Sequence, residues 1–155
     1  MEKTRTEFDL ETFIPYRLNR VSEHISLGFS KIYRGEYGMT RPEWRVLANL
    51  GQHQKLTAKR VGEISGQHKT KVSRAVSALE NRKWLIRTQN PDDRREEWLE
   101  LTRAGTDAYR RIATEGKKHD ASLLARLGAT KARALLAALD ALEEISRTTP
   151  PLGGK

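Results

Sequence analysis

The chain has 155 residues, no cysteine, and 29 Lys+Arg against 20 Asp+Glu, for a formal net charge of +9. That length makes one domain, with room for an appendage for self-association, and the missing cysteines exclude disulfides, zinc ribbons, thiolate nucleophiles and iron–sulfur clusters. The charged stretch Met1–Glu7 is no signal peptide and no apolar run approaches the ~18 residues of a membrane span, so a soluble cytoplasmic protein without membrane contact is expected.

The first helix begins at Pro15, which suits a first turn where an N–H has no partner. Ile14, Leu18, Val21, Ile25, Phe29 and Ile32 step by three and four along it, and Gly35 and Gly38 are expected to end it. A second helix starts at Thr40-Arg41-Pro42-Glu43, with Thr40 as N-cap and an acid against the dipole. Its apolar residues Trp44, Leu47, Ala48 and Leu50 run to an expected stop at Gly51, followed by a loop over 51–56.

Thr57 reads as N-cap of a short third helix that turns Ala58, Val61 and Ile64 inward. Ser65-Gly66-Gln67 breaks it, and a fourth helix runs from about His68 to Asn81 with Val72, Ala75, Val76 and Leu79 on one stripe. The period then changes. Trp84 to Thr88 predicts a strand, Gln89 to Asp93 a turn, and Glu97 to Leu101 a return strand, together a β-hairpin with a long charged tip. Thr102 caps a long helix reaching toward Leu127. Gly128 punctuates it, and Thr130 opens a last helix carrying Leu135, Leu136, Leu139, Leu142 and Ile145. The tail 148–155 is expected to be disordered. The fold class is mainly α (α+β).

Charge is unevenly placed along this plan. Residues 1–40 are neutral overall, 53–95 hold eleven bases against four acids, and 104–155 net +3. A basic middle between near-neutral flanks is the footprint of a polyanion binder, against the plainer reading of a solvated basic face. Motif decides between them. A short helix, a Gly-containing turn and a second helix rich in Ser, Thr, Lys and Arg at its start make a helix-turn-helix. Its outer face would hold Gln67, His68, Lys69, Thr70, Lys71, Ser73, Arg74 and Ser77, a set able to donate to phosphates and to base edges in a major groove. The hairpin becomes a wing whose Asp93-Arg94-Arg95 tip reaches a minor groove, which attracts Arg where it is narrow.

The stretch from Asn90 to Gly105, Asn-Pro-Asp-Asp-Arg-Arg-Glu-Glu-Trp-Leu-Glu-Leu-Thr-Arg-Ala-Gly, resembles the wing signature of the MarR-type winged helix-turn-helix regulators. Val72 to Glu80 is similar to their recognition helix, and helix order agrees over roughly residues 13–147. The resemblance implies a transcriptional regulator of repressor type that binds a pseudo-palindromic operator as a homodimer. It implies that Arg95 enters the minor groove braced by Asp93. Two departures stand out: Arg94 is a second groove candidate, and Glu96-Glu97 bring negative charge close to the phosphates. It implies a helical dimerisation region over 1–37 and 103–147 around a DNA-binding lobe over 38–102. The wide apolar stripes of the first and last helices point independently to self-association.

The resemblance also implies a small effector, such as an aromatic acid, a phenol or an acyl thioester, bound beside the DNA-binding lobe. Tyr16, Arg17, Arg20, His24, Trp44 and Arg45 are the candidates to line its site, since an aromatic wall with an Arg suits a planar anion. For Trp44 and His24 the alternative is plain packing. The histidines lack metal-ligand spacing, the Gly-x-x-Lys-Thr ending at Thr70 lacks the rest of a phosphate loop, and no catalytic motif appears. Neither a metal, a cofactor nor an enzyme activity is expected. The competing function is a ligand-independent architectural DNA-binding protein.

Overall fold

The computed structural model describes residues 8–149. In chain order the elements are α1 (Ile14–Tyr37), α2 (Arg41–His53), β1 (Lys55–Thr57), α3 (Ala58–Ser65), α4 (Lys69–Asn81), β2 (Leu85–Gln89), β3 (Glu97–Leu101), α5 (Arg103–Leu127) and α6 (Ala129–Thr148). They have a winged helix-turn-helix arrangement, with α3 and α4 followed directly by the β2–β3 hairpin. Among the described residues no helix is long and apolar enough to cross a membrane.

Among the described residues, those up to Gly116 form one compact unit and those from Lys117 onward a second. The first unit has a single core. Val46, Leu47 and Leu50 of α2 meet Val61 of α3, Val72, Ala75, Val76 and Leu79 of α4, Leu85 and Leu99 of the sheet, Tyr33 of α1 and Ile112 of α5. Every one of these is essentially inaccessible to water, so the hydrophobic term that fixes α4 draws on six other elements. The second unit holds the end of α5, Gly128 in the left-handed region at φ 83°, and α6. Leu135, Leu136, Leu139 and Ile145 of α6 remain exposed, as do Ile14, Leu18, Val21 and Leu27 of α1.

Several element limits differ from the sequence expectation. Helix α1 passes through Gly35 and ends only at Gly38, where φ is 60° and the N–H reaches the Arg34 carbonyl; that left-handed turn is what glycine supplies and Gly35 is not asked for. Helix α2 likewise passes through Gly51. The Tyr109 ring lies against that Cα, so closely that a Cβ there would fall inside the ring carbons. Gly51 marks a close approach, not a helix stop. Of the three residues expected to turn inward from α3, only Val61 is buried; Ala58 and Ile64 are exposed. Helix α4 starts at Lys69 with His68 as its cap, β2 starts one residue later than expected, and α6 opens at Ala129. Thr148 closes α6 and Thr149 caps it, so the expected disorder does not extend to them; the rest of that tail, 150–155, lies outside the described residues.

The largest correction is the sheet. Instead of a two-stranded hairpin it has three antiparallel strands in the order β1-β3-β2. Leu56 pairs with Leu99 and Thr57 with Trp98 on one side of β3, while Leu85 pairs with Leu101 and Gln89 with Glu97 on the other. The loop expected at 51–56 therefore contributes a strand that ties the root of the wing to the start of α3.

Candidate nucleic-acid interface

Local chemistry sets the two helices of the motif. Thr57 Oγ1 accepts from the Arg60 N–H at 3.2 Å, satisfying one of the unpaired donors at the start of α3. At the other end Gly66 turns left-handed at φ 63°, and the Gln67 N–H returns to the Gly62 carbonyl at 3.1 Å. His68 then caps α4, its Nδ1 accepting from the Thr70 N–H at 3.4 Å. With Val72, Ala75, Val76 and Leu79 buried, His68, Lys69, Thr70, Lys71, Ser73, Arg74 and Ser77 are left exposed. They run from the cap of α4 to Ser77, opposite its core stripe.

Gln67 departs from this set. It is half-buried, its Nε2 donates to Ser65 Oγ at 3.0 Å, and its Oε1 is buried without a hydrogen-bond partner. A side chain held this way is part of the turn's wall instead of its outer face.

The wing tip is built on backbone bonds. Asn90, buried, accepts from the Asp92 N–H through Oδ1 at 3.0 Å, and its own N–H donates to the Glu96 carbonyl. Asp93 Oδ1 accepts from the Arg95 N–H at 3.0 Å, and its carbonyl accepts from the Glu96 N–H. These are Asx turns, which fix a tight reversal without a helix or ladder. Asp93 thus braces the backbone of Arg95 and leaves the guanidinium outside that contact. Arg94 and Arg95 are both exposed.

Between α4 and the wing lies an open cleft of about 930 Å³, whose lining includes Lys69, Ser73, Arg87, Arg94, Arg95 and Glu97. The negative charge of Glu97 is offset: Arg87 Nη1 donates to Glu97 Oε2 at 3.3 Å, while its Nε donates to Glu80 Oε2 at 3.0 Å. Arg87 Nη2 also reaches Ser77 Oγ at 3.3 Å, which turns one hydroxyl expected on the outer face toward a protein partner.

Arg82 is a second residue that the sequence does not single out. At the end of α4 its Nη1 donates to the Tyr37 carbonyl at 2.6 Å and its Nη2 to that of Gly38 at 3.2 Å. Glu43 lies 3.8 Å away, and the Trp84 ring centroid 5.2 Å from the guanidinium carbon. Arg82 therefore joins the end of α4 to the α1–α2 turn. No local rule finds these two arginines, because their partners are seven to forty-five positions distant in sequence.

The candidate effector residues do not converge as one group. Trp44 stacks on Tyr33, with centroids 6.0 Å apart and planes 11° off parallel, and meets Phe29 edge-on at 5.3 Å. Phe29 and Trp44 pack at the margin of the core to which buried Tyr33 belongs, in line with the packing alternative for Trp44. Toward the start of α1, Arg20 lies over the Tyr16 ring at 5.3 Å and donates to Glu11 at 2.6 Å. His24 Nδ1–H donates to the Arg20 carbonyl at 2.8 Å. Arg17 and Arg45 are exposed. Helices α1 and α2 are joined here by Arg41, which donates to both oxygens of Glu23 at 2.5 and 3.0 Å. That hydrogen-bonded guanidinium holds the Glu23 carboxyl below the usual carboxylate range.

The MarR family model matches residues 37–96, which run from the last residue of α1 to the wing tip. No curated protein matches the chain. Among solved structures it is similar to a MarR family transcriptional regulator from Silicibacter pomeroyi, at 25% identity over 90% of this chain and 98% of that one, with a TM-score of 0.79. The PcaV transcriptional regulator from Streptomyces coelicolor, in complex with its natural ligand, is 23% identical over 91% of this chain and 99% of its own, at a TM-score of 0.72. Streptococcus pneumoniae FabT, in complex with DNA, is 17% identical over 86% and 95%, also at 0.72. The last two likenesses are of fold.

Proposed function

We propose that this chain, a MarR-type winged helix-turn-helix regulator, binds a pseudo-palindromic duplex as a homodimer and represses transcription until a small effector releases it. The observation that carries the reading is the cleft between α4 and the wing, with Lys69 and Ser73 on one wall and Arg94 and Arg95 on the other. A phosphodiester strand running between a major and the adjacent minor groove would pass through such a channel. In this reading Lys69, Thr70 and Ser73 meet base edges, His68, Lys71 and Arg74 hold phosphates, and Arg94 and Arg95 enter the minor groove with Asp93 setting their backbone. The DNA-bound FabT fold supports this use of the motif.

Self-association is supported by the exposed apolar residues of α1 and α6, which a monomer leaves in water at about 25 cal/mol per Å² of apolar surface. A two-fold dimer presents two α4 helices to half-sites about one turn apart. For the effector, the ligand-bound PcaV fold supports a site in this architecture. Trp44, half-buried at the margin of the core, with exposed Arg45 next in sequence, is the feature that suits an aromatic acid or an acyl thioester. The self-paired Tyr16, Arg20 and Glu11 favour the second reading, an architectural binder without a ligand.

The test is titration of an inverted-repeat duplex from the gene's own upstream region, against scrambled duplex, over a range of salt. Each phosphate neutralised contributes a slope of about −0.9 in log K against log[salt]. A slope near that of one contact refutes DNA binding by this face. Equal affinity for both duplexes supports the architectural reading instead.

A further inference from the structure

We infer that Arg87 is a positioning residue that fixes the wing against the recognition helix, and so sets the width of the cleft through which the nucleic acid strand runs; this rests on the DNA-binding reading above. Strand β2 buries only Leu85; its other four residues are exposed. Leu85 and, on the paired strand, Leu99 join the core with α4, while the exposed remainder of β2 leaves room for polar bonds to α4. Arg87 has the geometry for the task. Ser77 and Glu80 sit three positions apart on α4 and share a face, while Glu97 lies diagonally across from Arg87 on β3, since Arg87 pairs with Leu99 and Gln89 with Glu97. A planar fork of five N–H donors spans all three acceptors, with Nε on Glu80 at 3.0 Å, Nη1 on Glu97 at 3.3 Å and Nη2 on Ser77 at 3.3 Å. Helix and wing are thus joined through one guanidinium.

The competing role for an arginine in this cleft is direct contact with a phosphate, and the two roles differ in sign. Glu80 and Glu97 are acids in a channel meant for a polyanion. Were they only repulsive, or only masking Arg87, their removal would tighten DNA binding. As anchors of the brace, they lower the ordering cost that each half-site bears when the wing docks, and removing them weakens binding even though charge repulsion falls.

The experiment uses the full-length protein and a labelled inverted-repeat duplex, with affinity measured at fixed salt and then across salt. Glu80→Ala/Glu97→Ala is expected to bind about threefold weaker per half-site, hence about tenfold weaker on two half-sites, the scale of an exposed ion-pair network. In an Arg87→Ala background the same two substitutions are expected to tighten binding, because the brace is already gone and only the repulsion remains. Arg87→Ala itself should weaken binding with an unchanged salt slope, whereas a lost phosphate contact reduces the slope by about 0.9 per subunit. Thermal denaturation of each variant confirms that folded protein was measured, and exposed Glu97→Ala alone carries the same prediction should the double variant unfold. Tighter binding on removal of the two acids in both backgrounds overturns the brace. A wild-type protein that binds no duplex refutes the DNA-binding reading first, and the brace falls with it.

Discussion

Gly105→Ala isolates the joint on which the wing turns. Gly105 is in the first turn of α5, and a Cβ built there falls well inside contact distance of the Trp84 carbonyl oxygen, with that carbonyl carbon at 2.9 Å and Trp84 Cα at 3.1 Å. The obstacle is backbone, which cannot rotate away. The same carbonyl accepts the Thr102 N–H at 2.9 Å, and Thr102 Oγ1 donates to the Lys83 carbonyl at 2.7 Å while accepting from the Gly105 N–H at 3.1 Å. Forcing the two segments apart costs about 1–3 kcal/mol of overpacking and about 1–3 kcal/mol for a strained or broken bond of a part-buried group. The better helix propensity of alanine returns about 1 kcal/mol. A net loss of about 3 kcal/mol corresponds to about 6–12 °C in Tm for a chain of this size. The assay is urea and thermal denaturation at one fixed protomer concentration, because association shifts apparent stability. Gly35→Ala is the counterpart: nothing lies within 4 Å of its Cβ position inside α1, so there the same substitution is expected to stabilise by up to about 1 kcal/mol. If Gly105→Ala melts at or above the wild-type temperature, the close approach to Trp84 does not constrain the joint.

Substitutions at four other positions test the interface and its supports. Lys69→Ala is expected to lose about 1–3 kcal/mol of discrimination at one base pair, whereas Arg74→Ala weakens all duplexes alike; a panel of single-base operator variants checks this, and unchanged specificity ratios in both mutants would mean α4 lies differently on the duplex. Asp93→Ala removes an acid beside the DNA yet should weaken operator binding, because the Arg95 N–H loses its acceptor at 3.0 Å and the freed wing-tip backbone must then be ordered on docking, at about 1–2 kcal/mol per residue; Asp93→Asn keeps an acceptor oxygen and should restore much of the binding, while tightening by both variants would show simple repulsion. Lys83 occupies the left-handed region at φ 63°, a conformation costing a non-glycine residue about 1–2 kcal/mol, so Lys83→Gly should denature at higher urea than Lys83→Ala; equal midpoints would show no strain there.

The sequence by itself determined the parts of this protein that rest on local physics. Period-3.6 stripes in α2 and α4, the Thr40 and Thr57 caps and the alternation in β3 each need only neighbouring residues to be legible. The basic character of the first half of α4 and of the wing tip is likewise written in the composition of those segments. What the tertiary structure decided involves partners far apart in the chain. Three residues at Lys55–Thr57 have no period of their own and become a strand only because β3 offers an edge. Gly51 looked like a helix stop because its reason for being glycine is Tyr109, 58 positions later. Gln67 and Asp93 were placed correctly in their loops, but whether each side chain faced outward or inward depended on Ser65 Oγ and on the Arg95 N–H. Trp44 could line a pocket or pack, and its stacking on Tyr33 set it at the margin of the core. The arginines that join the lobe together, Arg82 and Arg87, were indistinguishable in sequence from those facing solvent, because an ion pair between a helix and a distant strand is specified by where the fold puts its two ends.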